Sequence, residues 1–179
     1  MAETGSSNGL VPSAADEARF WALVESAWQQ LGDEPASLRR LIVGRDPEAE
    51  TSGLYDLDGW LDQFMAKLAE LCAGMSSEQL TDLDRVVERK LYDIDRADIQ
   101  AVTDGSDDGF LYCRGYIVAV GREFYEAVKA DPRMAILDAE CESMCYFFAK
   151  QHDKHFGGWP ETGSNITRES VSNPAGWDL

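Results

Sequence analysis

The sequence predicts an all-α protein, a single compact helical domain of five to seven helices. Three observations carry that expectation. Apolar residues recur at the helical period through several long stretches. No stretch of useful length alternates apolar and polar residues as a half-buried strand does. The stretches are separated by short connections, which favours antiparallel neighbours. With 179 residues, 44% of them apolar, the chain can build one sizeable core and is too short for two domains.

The first 13 residues are small and polar and predict a flexible tail. Ser13 is placed to cap a helix, with Asp16 three residues on. Phe20, Val24, Ala27, Trp28 and Leu31 form its stripe, to about Gln30, and Gly32 and Pro35 end it. Residues 36–43 predict a short helix and 44–53 a loop. Leu57, Trp60, Leu61, Phe64, Met65, Leu68, Leu71 and Cys72 form the next stripe. Gly74 stops it, and Ser76 with Gln79 reads as a capping box. Leu80, Leu83, Val87, Leu91 and Ile94 carry a fourth helix, and 96–102 a short fifth.

After the turn at 103–109, Ser106 can cap a helix whose first turn holds Asp107 and Asp108. Acids there meet the positive end of the helix dipole. Phe110, Cys113, Ile117, Val120, Phe124 and Val128 predict one continuous helix. Gly115 and Gly121 are tolerated in it best where another helix packs closely or the helix bends. "ADPR" at 130–133 ends it. Ile136, Leu137, Cys141, Met144, Cys145, Phe148 and Ala149 predict a last helix to about His155. The helical domain thus spans 14–155. Residues 156–179 are rich in glycine, proline and polar residues and predict an irregular or loosely docked tail, with Trp159 and Trp177 as candidate anchors.

A net charge of −17 repels phosphate backbones and anionic lipid, so no nucleic acid and no membrane is expected as partner. It suits a basic protein or peptide. No apolar run approaches the roughly 18 residues of a membrane span. The first residues lack the basic and apolar regions of a signal peptide. The expected location is cytoplasmic, with Cys72, Cys113, Cys141 and Cys145 as buried reduced thiols. No nucleophile elbow, P-loop or dinucleotide fingerprint occurs, and no cofactor is expected.

Two constellations stand out. Asp107, Asp108, Arg114 and Arg122 lie in an otherwise apolar stretch, with Tyr92 beside them as a further candidate. The plain reading is a partly buried ion-pair set joined to Asp84, Asp93 or Asp95. The functional reading is a pocket in which two arginines hold a small anionic ligand and an aspartate acts as base. The second constellation is Cys141, Cys145, His152 and His155. It extends over about 21 Å of helix at 1.5 Å per residue, too far for one metal site. His152 and His155 alone could share an ion, with help from Asp153 or Glu161.

The stretch from Asp107 to Pro132 resembles a family of uncharacterised bacterial domains, the domain of unknown function 4240. The resemblance rests on Asp107, Asp108, Gly109, Phe110 and Arg114, on Gly121, Arg122, Tyr125, Glu126 and Ala127, and on Asp131 and Pro132. Phe20, Trp21, Leu83 to Arg85, Tyr92, Cys141 and Glu142 are also similar, so the likeness covers about 16–150. Arg96, Asp98 and Cys113 depart from the family's apolar, small or aromatic pattern. The resemblance implies no activity. The expected function is a non-catalytic acidic intracellular helical module that binds a protein or peptide partner, in the manner of an accessory or immunity protein. The alternative is a small enzyme or ligand-binding protein using the Asp107, Asp108, Arg114 and Arg122 pocket.

Overall fold

The computed structural model describes residues 9–103 and 106–178. Most of the expected N-terminal tail and part of the turn before Ser106 lie outside the described residues. Among the described residues there are ten α-helices, two short 3-10 turns and no strand. The helices are α1 (Ala14–Gln29), α2 (Asp33–Gly44), α3 (Leu61–Cys72), α4 (Ser77–Asp93) and α5 (Ala97–Thr103). They continue with α6 (Asp107–Val120), α7 (Arg122–Ala130), α8 (Glu142–Cys145), α9 (Phe147–Phe156) and α10 (Pro174–Trp177). The all-helical class is as expected. The count exceeds five to seven, and two breaks account for much of the difference.

The first break falls at Gly121. Its φ of +124° lies outside what an L side chain readily adopts, so the stretch expected as one helix becomes α6 and α7. Gly115 leaves α6 unbroken and serves close packing instead. A Cβ there would lie 2.4 Å from the Cys141 carbonyl oxygen and 2.7 Å from Cys145 Sγ, so its absence lets α8 seat on α6. The second break splits the expected last helix. Residues 135–141 form a loop, whose Cys141 amide donates to Tyr112 and whose Asp138 amide donates to Thr103. The chain then turns α-helical in α8, breaks at Tyr146 and resumes in α9.

Side-chain chemistry sets the helix starts. Ser13 accepts from the Asp16 amide and Ser106 from the Gly109 amide. Ser76 and Gln79 form both bonds of the capping box. Near the middle lies α6, in which every residue from Gly109 to Val120 except Tyr112 is buried. An all-buried helix is what an apolar segment without a polar face must become. Around α6 pack α4, α7 and α8, while α4 also packs against α1 and α9. Trp28 of α1 stacks on Phe64 of α3 and donates its indole N–H to Ala119. No helix among the described residues is long and apolar enough to cross a membrane. The four cysteines are buried and form no disulfide. Burial pushes the Cys72 and Cys145 thiols up to about 12. It pushes Cys141 up to about 11.

Candidate functional site

Helix α4 places Asp84 and Glu88 one turn apart on one face, where residues four apart are neighbours. Both carboxylates are buried, at 2% and 8% exposure. Just past the helix end, Asp95 is fully buried as well. From α6 comes Arg114, also at 0%. The break at Tyr146 turns the Cys145 carbonyl away from the helical ladder, where it needs a donor. Together these groups line a groove along one side of the helical body. The C-terminal segment Thr162–Asn173 lies in it.

Arg168 is the sole basic residue after His155, and it fills the acidic end of the groove. Its guanidinium donates to Asp84 at 2.6 Å, to Glu88 at 3.4 Å and to the Cys145 carbonyl. It also lies 5.0 Å from the centre of the Tyr146 ring. The Thr162 and Ser164 hydroxyls donate to Glu88. Two carboxyl groups thus share one guanidinium. Burial pushes the Asp84 carboxyl up, against the pull of Arg168 and with the like charge of Glu88 adding to the rise. Burial alone would lower Arg168, but Asp84 and Glu88 outweigh it and hold the guanidinium above its ordinary value.

The other end of the groove grips backbone. The Asp95 carboxylate accepts the amides of Val171, Ser172 and Asn173 and the Trp177 indole N–H. Three successive N–H groups around one anion form a nest. The Asn173 side chain donates to the Tyr92 carbonyl. Between the two ends, Arg114 donates to the carbonyls of Leu91 and Arg168 and to Ser170 Oγ. Its own charge lies over the Phe110 ring, 4.7 Å from the centre. A cavity of about 210 Å³ remains along the segment, with Asp84, Glu88, Tyr146, Trp159, Ile166 and Arg168 in its walls.

The structure brings three of the five candidate residues to this groove, in unexpected roles. Arg114 contributes its side chain, but its partners are carbonyls and a hydroxyl rather than the expected carboxylates. Of those, Asp84 pairs with Arg168 and Asp93 with Arg89. Asp95 acts on Arg114 through its charge, raising a guanidinium that burial has lowered. Tyr92 and Asp107 contribute backbone carbonyls, the latter accepting from Ser170. Asp108 is exposed in the first turn of α6, and Arg122 is exposed at the start of α7. Both ring nitrogens of His152 are engaged, with Ser77 and with the Gly158 carbonyl, and His155 is exposed. Among the described residues no group of three or more His, Cys, Asp or Glu side chains could hold a metal.

The C-terminal segment is irregular up to α10 and is closely held by the body. Trp177 anchors it through Asp95 and an edge-to-face contact with Phe110. The departure at Arg96 and Asp98 proves to be a local bidentate pair. Sequence reasoning missed Glu88 and Arg168 and gave Asp84 and Asp93 the wrong partner. Asp95 does face Arg114 through its charge but accepts its hydrogen bonds from the 171–173 amides. A second cavity, of about 190 Å³, lies between α1, α2 and α7, with Arg39, Arg40, Glu25 and Glu123 in its walls.

The fold and groove define an all-α, strongly acidic module that holds an irregular arginine-bearing segment. Residues 48–154 match the profile of the protein family of unknown function DUF4240. The chain belongs to that family. Asp84, Glu88, Tyr92, Asp95, Arg114 and Tyr146 all lie inside the matched residues, whereas Arg168 and its segment lie beyond them. Phe20 and Trp21, part of the sequence resemblance, fall before the match. No curated protein and no solved structure matches the chain.

Proposed function

We propose that this protein is a non-catalytic, acidic intracellular module that binds a protein or peptide partner through an arginine-bearing extended segment. One observation carries the reading. A buried carboxylate pair, Asp84 and Glu88, receives the guanidinium of a non-helical segment. A guanidinium satisfies several acceptors in a fixed fork, which a lysine ammonium does not reproduce. The net charge of −17 supports the same partner chemistry by drawing basic surfaces in.

The test is calorimetric titration of the full chain with three peptides of equal length, arginine-bearing, lysine-bearing and acidic. The expected result is binding of the arginine peptide, weaker binding of the lysine peptide, and loss of affinity as salt rises. Failure to bind any basic peptide, together with binding of a small anion such as phosphate or acetate, would overturn the proposal.

A further inference from the structure

We infer that Thr162–Asn173 is the resident occupant of a recognition groove, and that an arginine-bearing partner segment of matching pattern displaces it. The inference rests on the partner-binding reading and specifies its ligand. The pattern follows from the contacts. An arginine enters the Asp84–Glu88 site, a hydroxyl four residues earlier reaches Glu88, and a hydroxyl two residues later meets Arg114. The amides three to five residues later enclose Asp95.

Three features separate this segment from the body it lies on. Its buried residues are Ser164, Arg168 and Asn173, all polar, and among the described residues no apolar side chain beyond Ala149 is fully buried. Departure of the segment therefore exposes little apolar side-chain surface of its own, and a second segment of the same chemistry regains the same bonds. The segment is also strained. Val171 has φ +64°, an unusual conformation for a β-branched residue, and Asn165 has φ +58°. A partner segment need not repeat the Asn165 angle, because it need not connect back to α9. Finally, an open cavity of about 210 Å³ borders the segment at its Arg168 end, between Tyr146, Trp159 and Ile166.

Tethering sets the competition. A covalently linked occupant acts at a high effective concentration, so a free peptide binds the intact chain weakly and a loosened chain strongly. The probe is a fluorescein-labelled peptide of residues 160–178, read by anisotropy against the full chain and against Trp177→Ala. That variant removes one donor to Asp95 and the Phe110 contact, both at the edge of the groove. Asn173→Ala, which removes the bond to Tyr92 and the cap on the Ala175 amide, serves if Trp177→Ala does not fold. The expected result is at least about tenfold tighter binding to the loosened chain. The same peptide with Arg168→Ala is expected to bind at least about tenfold more weakly, as loss of a buried charged partner requires.

A loosened chain that keeps its helical circular dichroism yet binds the peptide no better than the intact chain would overturn the inference. If an unrelated arginine peptide binds both chains equally, partner binding stands and the assignment of the groove falls. If no basic peptide binds either chain, both fall.

Discussion

Removal of the Asp95 carboxylate tests how the C-terminal segment is held. In Asp95→Ala four donors lose their acceptor: the amides of Val171, Ser172 and Asn173 at 3.0, 2.6 and 3.0 Å, and the Trp177 indole at 2.9 Å. Bonds to a charged acceptor contribute about 1.5–3 kcal/mol each, so a simple sum gives about 6–12 kcal/mol. The sum is an upper bound. Once the segment lifts away, its donors meet water, and the remaining cost is its lost docking plus an Arg114 charge without its opposing carboxylate. That sets the expected loss at about 3–5 kcal/mol. The melting temperature should fall by about 6–20 °C, at about 2–4 °C per kcal/mol for a chain of this size.

Trypsin supplies a local readout. Arg168 is the sole basic residue after His155, so a cut there releases the chain end alone. In the wild type its guanidinium is buried and cleavage should be slow. In Asp95→Ala it should be fast while the helices persist. A variant that melts within a degree of wild type and resists trypsin at Arg168 would refute the reasoning.

Gly115→Ala should gain about 1 kcal/mol of helix propensity and lose more to the clash with Cys141 and Cys145, for a net loss of about 2 kcal/mol in urea unfolding. Alkylation should be slow. With Cys145 near 12, a thiolate fraction of about 10⁻⁴ at pH 8 follows, so iodoacetamide should modify the native chain far more slowly than the urea-unfolded one. Asp84 gives a pH signature of definite sign. Its folded value is raised, mainly by burial, so the native state keeps that proton where the unfolded chain has lost it. Its contribution to stability therefore falls as pH rises from the ordinary carboxyl range through the folded value. Asp84→Asn should flatten that part of the stability–pH profile, measured by urea midpoints.

The helices were legible because their signals are local. Stripes such as Phe64 to Cys72 and caps such as Ser76 with Gln79 depend on residues within a few turns. The breaks were not, because distant contacts set them. Gly121 leaves space that Arg39 enters, and the Cys145 carbonyl freed at Tyr146 is taken by Arg168 from 23 residues away. The site was legible only in Arg114, a charge in an apolar helix that had to find partners. Asp84 and Asp95 were legible only as candidate partners for the arginines, and Glu88 looks like a solvated acid in a chain with 33 acidic residues. Nothing local distinguishes them until Arg168 and the 171–173 amides arrive. The available signal was a single arginine in an otherwise acidic tail.

The most direct test of the account is native-state hydrogen exchange of the unmodified chain, with and without an arginine-bearing peptide. The account predicts that the amides of Val171, Ser172 and Asn173 exchange through an opening of lower free energy than those of α4 and α6. Added peptide should speed their exchange and leave the helices protected. Exchange of all these amides at one common global free energy, unchanged by peptide, would contradict it.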